Sequence, residues 1–136
     1  MIEQITDKGL LIATIIRAGF KKDGIEFFTP NEYSQQLGYM NRPKGYKIMA
    51  HRHTKNENIG IPTYEVLYIK SGKLKILLYD NENFFIKELI LLIGDVILLV
   101  TGGHSLEMLE DTELIEIKQG PYNENDKINF LPVNRL

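Results

Sequence analysis

Residues 50–72 read AHRHTKNENIGIPTYEVLYIKSG. The chain has three histidines, and two of them, His51 and His53, stand one residue apart in a segment with the composition of a strand. In a strand, residues i and i+2 project to one face, so both imidazoles can reach a single ion. By the same alternation Lys47 and Met49 share that face. Glu65 heads the next apolar run, and a hairpin return through residues 54–62 would lay that run alongside. The third histidine, His104, follows Gly102-Gly103 and opens another strand; if the sheet curls into a barrel, that strand faces the same interior. Three neutral imidazoles and one carboxylate suit a divalent first-row metal (Fe, Mn, Ni, Zn or Cu) and, where the ion is five- or six-coordinate, leave positions open, as catalysis requires. Singly, each signal is bland: His-x-His in a sheet is more often a solvated pair, Glu65 an ordinary surface carboxylate and His104 a turn residue. Jointly, every histidine of the chain falls where a shared site needs one.

Outward from this stretch, short runs rich in Ile, Leu, Val, Tyr and Phe recur between turn signals. They are YKIMAHRH (46–53), YEVLYIKS (64–71), KLKILLY (73–79), FFIKELIL (84–91), DVILLVT (95–101), HSLEML (104–109) and TELIEIKQ (112–119). Evenly spaced short strands predict an all-β sandwich or barrel. GLLIATIIRAG (9–19) reads as a strand or strand pair. One short helix is expected in TPNEYSQQLGYM (29–40), with Thr29 as N-cap, Pro30 at N1, Glu32 in the capping box and Gly38 as the stop. The tail after Gly120 has no clear period and is expected to pack through Phe130 and Leu131.

The 136 residues suit one domain, with a barrel core over about 45–119, an N-terminal strand and helix extension over 1–44 and a tail over 120–136. A hydrophobic fraction of 43% and a charged fraction of 25% are those of a globular chain, not of a disordered or membrane one. There is no cysteine, which excludes disulfides, thiolate metal sites and cysteine nucleophiles together. A net charge of −2 and no basic run argue against nucleic acid and anionic lipid. Residues 9–19 lack the flanks of a signal peptide, and ELILLIGDVILLV (88–100) is too short to span a bilayer; a cytoplasmic protein is expected.

At the histidines the sequence resembles the cupin superfamily. The first cupin motif is a glycine, five residues, His-x-His, a short loop, a glutamate, six residues and a glycine; here it is Gly45, YKIMA, His51-Arg52-His53, the loop, Glu65, VLYIKS and Gly72. The second runs Gly94, DVILL, Val100, Thr101, Gly102, Gly103, His104, with Val100 in place of the family's proline, His104 one residue early and Met108 near the family's asparagine position. The loop before Glu65 has eleven residues and is expected to form a lid or rim. The likeness covers roughly 45–119. It implies a double-stranded β-helix (jelly-roll) barrel and a metal held by His51, His53, Glu65 and His104. QQLGYMNRPKGY, GGHSLEML and EIKQGPY further resemble small bacterial cupins associated with sugar and surface-polysaccharide metabolism, an analogy at the level of the family.

Three functions follow from such a site. In the first, the metal is a Lewis acid toward a small sugar-like or carboxylate molecule while a nearby base moves a proton, as in isomerisation or epimerisation. Lys47 is then the catalytic candidate, Met49 shares its face, Gln119 reaches the interior by parity with Ile115 and Ile117, and Tyr39 and Arg42 clamp an anionic group at the rim. The second is an Fe(II)-dependent dioxygenase; the third, a non-catalytic sensor of a small ligand. Glu107 alternates away from His104 and is expected to be solvated or at a subunit contact. A homodimer is expected, with residues 10–18 or the tail contributing, because an apolar strand edge would otherwise stay exposed.

Overall fold

The structure, a computed structural model, describes residues 1–55 and 60–134. Among the described residues every regular element is a strand: β1 (Ile2–Asp7), β2 (Leu10–Ile16), β3 (Gly24–Phe27), β4 (Gln35–Arg42), β5 (Lys47–His53), β6 (Glu65–Ser71), β7 (Lys73–Tyr79), β8 (Phe85–Leu92), β9 (Val96–Leu99), β10 (Gly103–Met108), β11 (Thr112–Gln119) and β12 (Lys127–Asn129). The seven runs read as strands between residues 46 and 119 are β5 to β11 in order. No described helix is long and apolar enough to cross a membrane.

Two five-stranded antiparallel sheets pack face to face. One has the order β12-β5-β10-β7-β8 and the other β3-β4-β11-β6-β9. Their facing sides follow the period of two: Leu67 and Ile69 on β6, Leu74 and Ile76 on β7, Leu106 and Met108 on β10, and Leu114 on β11 form one buried cluster with Met40 and Leu99. Tight turns close the hairpins. Gly72, between β6 and β7, has φ +86°, and a Cβ there would run into the Asp111 carbonyl and Thr112; only glycine fits both conditions.

The expected helix over residues 29–40 does not form. Pro30 to Tyr33 make a single turn, the Tyr33 N–H donating to the Pro30 carbonyl at 3.1 Å, and the chain then enters β4. Thr29 spends its hydroxyl on the Gln36 side chain at 2.7 Å rather than on a helix N-terminus. The deciding factor is two-sided burial: Gln36 and Met40 turn inward while Tyr39 is buried on the opposite face, a period of two that outweighs the local capping signal. β4 pairs with β11 along its length, from Gln35 opposite Gln119 to Arg42 opposite Thr112. The sheet thus takes in residues 24–42, ahead of the expected core.

The N-terminal apolar stretch is half of a hairpin: β1 and β2 form a separate two-stranded sheet with Leu10 and Ile12 exposed. In the tail, Phe130 packs between the Tyr79 ring, centroids 5.4 Å apart, and the Arg52 guanidinium at 4.8 Å. Leu131 does not share in this; it is 80% exposed. The expected lid before Glu65 lies partly outside the described residues, but Thr63 at its end is buried and donates to the Thr54 carbonyl at 2.8 Å.

Candidate metal centre

His51 and His53 lie at the end of β5 and His104 near the start of β10, directly opposite His51 in the antiparallel register. Glu65 opens β6 on the facing sheet. The expected hairpin return is absent: β5 pairs with β10 and β12, and Glu65 reaches the histidines across the sandwich. The three imidazoles offer nitrogens that all lie within 4.8 Å of one another, so the triad can hold a metal ion. Glu65 Oε1 stands 2.8 Å from His53 Nε2, and Oε2 stands 3.5 Å from His104 Nε2. All four side chains are buried at one end of the sandwich.

The orientation of the rings fits an ion. The His51 Nδ1–H donates to the Met49 carbonyl at 2.7 Å, which turns the Nε2 lone pair inward. Burial, then neighbouring His104, pushes the His51 pKa down to about 3, so this ring is neutral and ready to ligate. Both ring nitrogens of His53 are buried without a hydrogen-bond partner, despite the short approach of Glu65. An unpartnered buried polar atom costs about 1–3 kcal/mol, and a cation held by His53 would remove that cost. Burial alone would raise the Glu65 carboxyl, but the adjacent His104 and His53 rings hold it well below the carboxylate range.

Of the residues predicted to accompany the ligands, none enters the interior. The β5–β10 register slips between His104 and Leu106: His51 is opposite His104 but Ile48 is opposite Leu106, so Met49 and Ala50 together face Ser105. This β-bulge inverts the alternation. Before it Ile48 points to the core and Lys47 and Met49 point to solvent, Met49 being 62% exposed. After it His51 points inward. Tyr39 is buried on the outer side of its sheet, edge-on to Phe20 with centroids 4.9 Å apart and its hydroxyl donating to Glu113 at 2.7 Å. Arg42 lies at the opposite end of the sandwich, over the Tyr46 ring at 4.5 Å. Gln119 donates to the Ser34 and Gly120 carbonyls. The even-numbered residues of β11 face inward, and Ile117 on Gln119's parity is 41% exposed. Glu107 faces outward as expected, 3.4 Å from Lys75.

In place of these the structure supplies four residues that the sequence reading missed. A cavity of about 170 Å³ next to the triad is lined by Glu116, Lys118 and Lys127 as well as the ligand candidates, with Met40, Ile48 and Leu114 among its apolar walls. Glu116 is buried, and its carboxyl is driven upward by burial and by the adjoining Glu65 carboxylate. Lys118 forms an ion pair at 3.0 Å with Asp126, which itself stands 3.6 Å from His53 Nδ1. Burial lowers the His53 pKa, but the neighbouring Asp126 and Glu65 carboxylates more than offset this and raise it to about 9. The available signal for Glu116 and Lys118 was the run Thr112, Leu114, Glu116, Lys118, one parity of β11. A second cleft, bordered by Arg52, Lys55, Pro62 and Thr101, reaches His53 and His104 from outside.

No family model matches the chain, and no curated protein does. Solved structures do. A variant of B. subtilis oxalate decarboxylase superposes with a TM-score of 0.62 at 18% identity over 81% of this chain. The chain spans 29% of the length of that enzyme, and a second structure of it, one bearing on its Mn(II) centres, matches with a TM-score of 0.56 at 20% identity. KdgF from Halomonas sp. matches with a TM-score of 0.56 at 14% identity, covering 74% of this chain and 80% of its own. A cupin-2 domain protein from Shewanella frigidimarina NCIMB 400 matches with a TM-score of 0.53 at 14% identity, covering 74% and 85%. With two facing antiparallel sheets and a histidine triad at one end, this chain has the cupin fold.

Proposed function

We propose that the protein is a divalent-metal-binding cupin with His51, His53, His104 and Glu65 as ligands, acting on or binding a small carboxylate or sugar-like molecule. The observation that carries the reading is the buried, unpartnered His53 imidazole facing Glu65 and the two other histidines. Such a donor set of imidazoles and one carboxylate suits Mn, Fe, Ni, Zn or Cu. The likeness in fold to oxalate decarboxylase, an enzyme with Mn(II) centres, supports a divalent metal. When bound, the ion would supply Lewis-acid polarisation of a substrate oxygen.

The chain's own residues account for the rest. Lys118 and Lys127 line the cavity beside the triad, and their charge favours an anionic ligand. Met40, Ile48 and Leu114 form apolar walls that limit access of water. Glu116 is a buried acid lining the cavity beside the ligand set, and it takes the proton-carrying role that Lys47 was expected to fill. An enzyme of this kind would isomerise or epimerise a hydroxy-carbonyl substrate. Elemental analysis of protein purified without added metal tests the reading: near-stoichiometric metal in the wild type and little in a His51→Ala, His53→Ala double variant is expected. Folded wild-type protein that holds no metal, or a double variant that holds as much, overturns it.

A further inference from the structure

The three imidazoles are not held alike. His51 is fixed by its own strand, through the Nδ1–H to the Met49 carbonyl at 2.7 Å. His53 has no such anchor, since neither ring nitrogen has a hydrogen-bond partner. The acceptor facing its outer nitrogen comes from the far end of the chain: Asp126 Oδ2 stands 3.6 Å from Nδ1, a few tenths of an ångström beyond hydrogen-bond range. Asp126 is itself firmly placed. Its side chain pairs with Lys118 at 3.0 Å, its carbonyl accepts the Thr54 N–H at 2.6 Å, and its N–H donates to the Asn123 carbonyl at 3.2 Å. Immediately after it, Lys127 pairs with His53 as β12 joins β5. The residue is buried, so the carboxylate has been brought out of water to this position.

We propose that Asp126 is the positioning residue of the metal centre: docked by the C-terminal tail between Lys118 and His53, it holds the imidazole with Nδ1 outward and Nε2 toward the ion. The inference rests on the metal reading above and adds to it that the tail is a working part of the site. A histidine ligand that donates its second N–H to a carboxylate keeps one tautomer and one ring orientation and becomes a better donor. Lys118 sets where that carboxylate sits. His51 obtains the same service from a backbone carbonyl, which explains why a single carboxylate from the tail suffices for the pair on β5.

The test uses Co(II) alone, added to the metal-free full chain, with the visible absorption of the bound ion and the titrated Kd as readouts. Wild type, Asp126→Ala, Asp126→Asn and, as a control for burial near the tail, Phe130→Leu are compared. Loss of the orienting carboxylate is expected to weaken Co(II) binding by about 10–100-fold in Asp126→Ala and to alter the spectrum of the saturated site. An amide side chain at this position retains an acceptor oxygen, so Asp126→Asn is expected to recover the wild-type spectrum with an intermediate Kd, and it serves as the informative variant if the alanine form does not fold. Phe130→Leu lowers stability without moving the spectrum. Asp126 variants that match wild type in both Kd and spectrum overturn the positioning role and leave the metal reading standing. Wild-type protein that binds no Co(II) removes both.

Discussion

A metal held by His51, His53, His104 and Glu65 must stabilise the folded chain, because these residues converge only when the two sheets are assembled. An ion that binds the folded state alone contributes RT ln(1 + [M]/Kd), about 2.7 kcal/mol at a hundredfold excess over Kd. For a domain of this length 1 kcal/mol moves Tm by roughly 4 °C, so saturating metal is expected to raise Tm by about 10 °C. His104→Ala removes one ligand from β10 and leaves the β5 pair in place. If affinity falls a hundredfold, the same metal concentration contributes only about 0.4 kcal/mol, a shift of less than about 2 °C. The quantity to compare is the metal-induced increment within each variant, since removing His104 also strips Glu65 of a neighbour at 3.5 Å and changes the metal-free baseline. The chain has no tryptophan, so unfolding is followed by far-UV circular dichroism or calorimetry with each candidate metal. Equal increments in wild type and His104→Ala, or none with any of the five metals, would refute the convergence argument.

Lys47→Ala and Met49→Ala are expected to leave metal content unchanged, because the bulge at Met49-Ala50 turns both side chains outward; metal loss in either variant would mean that the bulge is absent in solution. Gly72→Ala is expected to cost more than about 2 kcal/mol, read as a fall in the urea midpoint, since φ is +86° and the added methyl meets Asp111 and Thr112. Tyr39→Phe is expected to cost about 1.5–3 kcal/mol at neutral pH, because the lost hydroxyl donates to Glu113. Burial raises the Glu113 carboxyl, but Tyr39, Ser71 and Lys70 more than offset this and hold it below its ordinary 4.5. A carboxyl depressed in the folded state contributes stability above its ordinary pKa and loses it as pH falls through the depressed value. The difference between Tyr39→Phe and wild type should therefore shrink in acid, and urea titrations at neutral and low pH check it. A homodimer is expected from the exposed Leu10 and Ile12 of the β1–β2 hairpin, which among the described residues pairs with no other strand; light scattering at twice 15.7 kDa, reverting to monomer when Leu10 and Ile12 are both changed to Lys, is the test.

Much of the fold was legible because it rests on local rules. Apolar runs between turn residues mark β5 to β11, and glycines at positions such as Gly72 meet conformations that other residues resist. The four ligand candidates were also legible, since His-x-His on one strand needs only the period of two and the remaining residues match the spacing of a known motif. The companions were not. Strict alternation sent Lys47 and Met49 inward, and a register slip set by the facing strand β10 reversed them. For β11 the wrong parity was followed, which selected Gln119 and passed over Glu116 and Lys118.

From the chain alone came strands β5 to β11, their turns and the histidine and carboxylate types that suit a metal, because backbone geometry and side-chain chemistry act within a few residues. Only the assembled sandwich decided which face each strand buries, that residues 35–42 extend rather than coil, and that Asp126 from the tail comes to lie beside His53. Those outcomes depend on partners far away in sequence: burial on both faces of β4, the register of β5 against β10, and the docking of β12 on β5. A residue's neighbours across a sheet are fixed by the packing of the whole core, and local propensity carries no record of them.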